Sequence, residues 1–107
     1  MTERLYTQVK RKLNITWDDP DTRELVTDII QSAIPVMRHK LGITDPNFDF
    51  AQPGAENNLF RTYCLYDYNH CTNEFDDNYA NEIGQVREQH ELEYHLANSE
   101  ESANAEA

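Results

Sequence analysis

Glycine is scarce in this chain: Gly42, Gly54 and Gly84 are the three present, and no two are neighbours. Phosphate-cradling loops need clustered glycines, so neither a P-loop nor a dinucleotide fingerprint is present. Long apolar runs are missing too, and no stretch approaches the ~20 residues that a membrane span needs. The opening Met1-Thr2-Glu3-Arg4-Leu5 is not apolar, and no signal peptide is expected. Basic residues are few: nine Lys and Arg stand against twenty Asp and Glu, a net charge of −11. Binding along a DNA backbone runs on basic side chains and released counterions, so specific DNA binding is not expected. Cysteine is limited to Cys64 and Cys71. On one helix they would sit about 10 Å apart along the axis, whereas a disulfide holds Cα atoms within about 7 Å. Without a secretory leader both read as free thiols and small core fillers.

What is present is a short, polar, acidic chain of 107 residues with a mean hydropathy of −0.84. That length suits one domain with one core and leaves little room for a deep, enclosed active site. The charge is unevenly spread. Residues 1–43 hold seven basic and six acidic side chains, and residues 44–107 hold two basic and fourteen acidic ones. A near-neutral N-terminal part with basic spots can meet the acidic part of a neighbouring copy.

Helical periodicity dominates. Thr2 is placed to cap a first helix, with Leu5, Val9 and Leu13 on one stripe. Arg4, Lys10, Arg11 and Lys12 lie mostly off it, as a solvated face or a contact for an acidic protein. Trp17, in the connection that follows, is expected to plug the core edge and to hydrogen-bond through its indole N–H. Asp19, Pro20 and Asp21 read as cap, first helical position and dipole complement. The spaced ligands, glycine and closing glutamate of a calcium loop are missing. The second helix spans about Pro20 to Leu41, burying Val26, Ile30, Ala33, Met37 and Leu41. Pro35 inside it predicts a kink, and Gly42 ends it.

Residues 43–55 read as a loop in which Phe48 and Phe50 either pin the segment to the core or insert into a partner. A third helix is expected from about Ala55 to Asp76. Leu59, Tyr63, Tyr66 and His70 form one stripe, and Phe60, Cys64, Cys71 and Phe75 the adjacent one. Asp67 projects from this apolar face and needs a partner. A tyrosine hydroxyl, the Trp17 indole or an arginine of another subunit can serve. Asp76 or Asp77 is expected to cap a fourth helix carrying Tyr79, Ile83 and Val86. From Ala97 onward there is no apolar anchor. The expected fold is therefore all-α, a small bundle of about four helices with an extended loop. The helical domain covers 1–96, and 97–107 form a disordered acidic tail.

The search for chemistry yields little. His90 and His95 resemble a zinc-peptidase pair but are five residues apart, which turns them about 140° from each other on a helix. His70 and Cys71 are adjacent and diverge as well. No metal, cofactor or catalytic residue is expected, and the chain reads as a binding protein, not an enzyme.

Assembled in order, the residues are specific. A short helix ends in Leu13-Asn14-Ile15-Thr16-Trp17-Asp18-Asp19, and a long helix ends at Leu41-Gly42. Then come Phe48-Asp49-Phe50, Tyr63-Cys64-Leu65-Tyr66-Asp67-Tyr68-Asn69, Phe75 and Tyr79. This order resembles the head–tail connector (adaptor) proteins of tailed bacteriophages, over about residues 3–95; Leu65 and Asp67 depart from the small and basic character expected there. The resemblance implies a head-completion subunit in the virion neck, made in the host cytoplasm. About twelve copies would form a closed ring under the portal protein. The ring would continue the DNA channel without binding DNA specifically, offer a platform to the next head-completion (stopper) or tail protein, and contact no membrane. Arg4, Lys10, Arg11 and Lys12 are then expected to face Asp76, Asp77 and Glu82 of the next subunit. Phe48, Phe50, Tyr94, His95 and Leu96 are candidates for portal or tail contact. The rival reading is an acidic DNA mimic that inhibits a host DNA-binding protein.

Overall fold

The computed structural model describes residues 2–106, with side chains from 2 to 97. The tail expected to be disordered lies, apart from Ala97, outside the residues with described side chains. The described residues are all-helical, with α1 (Glu3–Lys12), α2 (Pro20–Leu41), α3 (Ala55–Tyr68), α4 (Thr72–Asn78) and α5 (Ala80–Glu106). The bundle contains five helices where about four were expected, because the third expected helix is interrupted.

Helix α1 begins where Thr2 Oγ1 accepts the Leu5 N–H at 3.2 Å. It buries Leu5, Tyr6 and Val9. Helix α2 begins where Asp19 Oδ1 accepts the Thr22 N–H at 2.8 Å. Those Thr22 hydrogen bonds hold the Asp19 carboxyl below its ordinary pKa. Val26, Ile30, Ala33, Met37 and Leu41 are all fully buried along α2. The helix runs on through Pro35, whose ring is exposed.

Two helix ends share one device. At the end of α2, Gly42 adopts φ 66°. The Ile43 N–H donates to Arg38 O at 3.0 Å and the Gly42 N–H to His39 O at 3.3 Å. At the end of α3, His70 adopts φ 58°. The Cys71 N–H donates to Tyr66 O at 2.9 Å and the His70 N–H to Asp67 O at 3.0 Å. Both are Schellman ends, in which a left-handed residue closes the last carbonyls. The expected continuation of the third helix to Asp76 is corrected accordingly: the chain turns at His70, which leaves the stripe and is exposed. Asp76 and Asp77 then lie inside α4 rather than capping the helix that follows.

Between α2 and α3 the segment 43–54 folds on side-chain turns. Asp45 Oδ1 accepts the Asn47 N–H and Asp49 Oδ1 the Ala51 N–H, each at 2.9 Å. Among the described residues, Asn57 is the buried polar one. Its amide donates to Phe50 O and to Gln8 Oε1, each at 2.8 Å. Gln8 in turn donates to Ala51 O at 3.1 Å.

The core joins all five helices. Leu13, Ile15, Leu59, Phe60, Cys64, Phe75 and Val86 are buried, and Tyr63, Tyr66 and Ile83 pack against them partly exposed. Phe75 is enclosed by Tyr63, Tyr66 and Tyr79, with ring centroids 5.2, 5.7 and 5.2 Å away. Two expected core residues are not there. Trp17 is 53% exposed, because Ile15 takes the place at the core edge. Its indole N–H still finds a partner, Thr22 Oγ1 at 2.8 Å. Cys71 is half-buried in the α3–α4 turn, with its Sγ 3.5 Å from Tyr66 O.

The left-handed ends predict opposite outcomes for two substitutions. A Cβ on Gly42 would meet Arg87 Cγ at 3.2 Å in a strained backbone, so Gly42→Ala lowers stability by about 1–2 kcal/mol. His70→Gly relieves the same strain and raises stability by about 0.5–1 kcal/mol. Urea unfolding of the two variants beside the parent checks both signs.

Candidate interaction surfaces

Several surface charges are paired within the chain. Lys10 Nζ lies 3.5 Å from Asp18. Arg23 bridges to Glu3 and sits 4.5 Å over the Tyr6 ring. Lys40 Nζ donates to both Asp76 oxygens at 2.7 and 2.8 Å. Arg87 holds Glu91 at 2.9 Å and caps α2 by donating to His39 O at 2.9 Å and Lys40 O at 3.3 Å. Two residues expected to bond a neighbouring subunit, Lys10 and Asp76, are therefore engaged at home. The reason is proximity: the α1–α2 turn brings Asp18 back to Lys10, and α4 lies beside the last turn of α2. Arg4, Arg11, Asp77 and Glu82 are exposed, and Lys12 is half-buried.

The two loop phenylalanines separate. Phe50 is buried and stacks on Phe60 with centroids 4.6 Å apart. Its candidacy as a partner contact is corrected, since the Asp49 turn folds it inward. Phe48 is half-buried and meets Phe50 and His90 edge-on at 5.2 and 5.8 Å. His90 Nε2 in turn lies 3.1 Å from Glu56 Oε1, tying α5 to the first turn of α3.

Helix α5 carries a second apolar face. Ile83 and Val86 pack inward. Leu92 is nine residues beyond Ile83, roughly half a turn away round the helix, and Leu96 follows one turn later. Leu92 is 59% exposed and Leu96 56%. Tyr94, 48% exposed, is two residues from each and so lies on the opposite side of α5, beside Ile43 and Phe48; His95 is exposed as well. Glu88, Glu91 and Glu93, each within four residues of Leu92, add negative charge there. Leu92 was missed in the sequence because the inward stripe fades at that point. Its spacing of four from Leu96, on a helix otherwise polar there, was the available signal.

A groove of about 340 Å³ lies between α2 and the end of α3. Leu25, Asp28, Ile29 and Ser32 line it from α2, and Asp67, Tyr68 and His70 from α3. Leu25 is 47% exposed. Asp67 is half-buried, and no hydrogen bond or ion pair reaches its carboxylate among the described residues. The Trp17 indole, one expected partner, is taken by Thr22. The Asp67 charge acts on its neighbours: the Tyr63 hydroxyl is raised by burial first and by Asp67 second.

Burial, again aided by Asp67, pushes the Cys64 thiol from 9.0 up to about 12. Both cysteines are free. Among the described residues no three His, Cys, Asp or Glu side chains converge as metal ligands, and no helix is long and apolar enough to cross a membrane. The folded-state pKa of Cys64 lies above its unfolded value. Its contribution to stability is therefore complete below pH 9.0 and is lost as pH rises towards 12. A disulfide reagent at neutral pH is expected to modify Cys71 in the folded protein and Cys64 only on unfolding; mass spectrometry of the labelled peptides reads the order. Equal labelling of both in the folded state would refute it.

No protein-family model matches this chain, and neither a curated protein nor a solved structure does.

Proposed function

We propose that this protein is a head–tail connector of a tailed bacteriophage: a structural protein, not an enzyme, that sits in the virion neck. In this reading its copies form a ring under the portal protein, join the DNA-filled head to the stopper or tail protein, and continue the DNA channel. The observation that carries the reading is the ordered set of sequence stretches on a helical frame. Asn14 to Asp19 make the α1–α2 connection, and Tyr63 to Asn69 make the last turns of α3 and its end. The exposed Leu92 and Leu96 on α5 support it, because an apolar face that its own chain leaves open fits a protein partner. The net charge of −11 supports it as well, since an acidic channel wall would repel phosphate and let DNA slide.

The direct test stops the gene early in a phage that carries it and examines lysates by electron microscopy. DNA-filled or leaked heads beside unjoined tails are the expected result. Normal joined virions would overturn the reading and favour the acidic DNA mimic, which predicts instead tight binding to a basic host protein.

A second test concerns α5. Leu92→Ser with Leu96→Ser removes exposed side chains, so stability changes by no more than about 0.5 kcal/mol. Co-sedimentation with purified portal rings is expected to fall at least tenfold. Unchanged co-sedimentation would remove α5 from the contact.

A further inference from the structure

Asp67 is a carboxylate in search of a cation. It is half-buried in the groove between α2 and α3, beside Asp28, and the described residues offer it no partner. Removing a charge from water without a partner is costly. The groove continues along α2 as an exposed strip of Asp21, Leu25 and Asp28, spaced i, i+4, i+7 on one face.

The chain carries a matching strip of opposite sign. Arg4, Thr7 and Arg11 are exposed on α1 at i, i+3, i+7. No carboxylate reaches either arginine among the described residues, whereas Lys10, Arg23, Lys40 and Arg87 are each engaged. Arg4 and Arg11 stand seven residues apart, as Asp21 and Asp28 do. Both charge pairs are therefore about 10 Å apart along their helices.

We propose that the groove between α2 and α3 receives the Arg4–Arg11 strip of a second copy, whose guanidinium groups meet Asp21, Asp28 and Asp67 while their aliphatic stems cover Leu25. The inference rests on reading the chain as a self-assembling subunit. The contact joins two different surfaces, so it propagates from copy to copy and closes only if the rotation permits. It replaces the pairing of α1 with Asp76, which Lys40 already occupies. Exposed ion pairs are individually weak and screened by salt. Association of the free protein is thus expected at millimolar concentration and low ionic strength, and is lost in high salt.

Sedimentation equilibrium of the full chain tests the contact by charge reversal. The parent is expected to associate, while Arg11→Glu and Asp28→Arg variants each remain monomeric. An equimolar mixture of the two is expected to associate again, because each supplies the strip that the other needs. Both positions are exposed, and circular dichroism melts establish that the variants fold. A second pair, Arg4→Glu with Asp67→Arg, repeats the test at the other charges. A parent that stays monomeric, single reversals that leave association unchanged, or a mixture that fails to restore it would each overturn the proposal. Those results leave the connector reading standing; normal virions without the gene product would remove that reading while leaving a measured self-contact intact.

Discussion

The segment between α2 and α3 has no regular hydrogen-bond ladder of its own, yet part of it is buried. Buried carbonyls must find donors, and Asn57 solves that problem for the whole molecule. Its amide donates to Phe50 O and to Gln8 Oε1, and Gln8 donates to Ala51 O. One buried side chain thus ties α1, the loop and α3 together. Phe50 is thereby fixed against Phe60, and Phe48 against Phe50 and His90. Because His90 also reaches Glu56, the line along which α5 docks follows from the same knot. A hydrophobic side chain at 57 would leave two acceptors unpaired inside the core, a cost of about 1–3 kcal/mol each.

The all-helical fold was legible because apolar periodicity and end signals agree for the first two helices. Thr2, Asp19, Pro20 and Gly42 each do what their chemistry suits. The break at His70 was not legible, since it uses the same left-handed closure as Gly42 without a glycine to announce it. A histidine there gives up about 1 kcal/mol of backbone preference, and tertiary packing supplies it. Phe75 enters a ring of three tyrosines only if α4 turns away from the axis of α3. Trp17 was misplaced for a related reason: Asn14, at φ 60°, turns the chain so that Ile15, two residues earlier, points inward.

Of the surfaces, the sign of each region was legible and the pairing was not. Lys40 and Asp76 are 36 residues apart in sequence, and Arg87 closes carbonyls 48 and 47 residues away. Such contacts depend on how α4 and α5 return to the end of α2, which no local pattern encodes. The pairings matter because they remove charges from the pool available to partners. Among the charges left without an ion pair are a basic strip on α1 and acidic strips on α2 and α5.

Those leftovers divide the labour between the two proposed interfaces. The outer face of α5 pairs leucines with carboxylates, so two such helices would repel as they approached. The α1 strip carries charge without an exposed apolar side chain, so it cannot cover Leu92 and Leu96. The α2–α3 groove has carboxylates of its own and would repel α5 in turn. Self-contact through α1 and the groove therefore leaves α5 free in every copy. A foreign surface that brings both apolar area and positive charge is the occupant that fits it. A ring held by the first contact would present the second once per subunit. Many weak α5 contacts then act together, and their combined affinity exceeds that of any one of them.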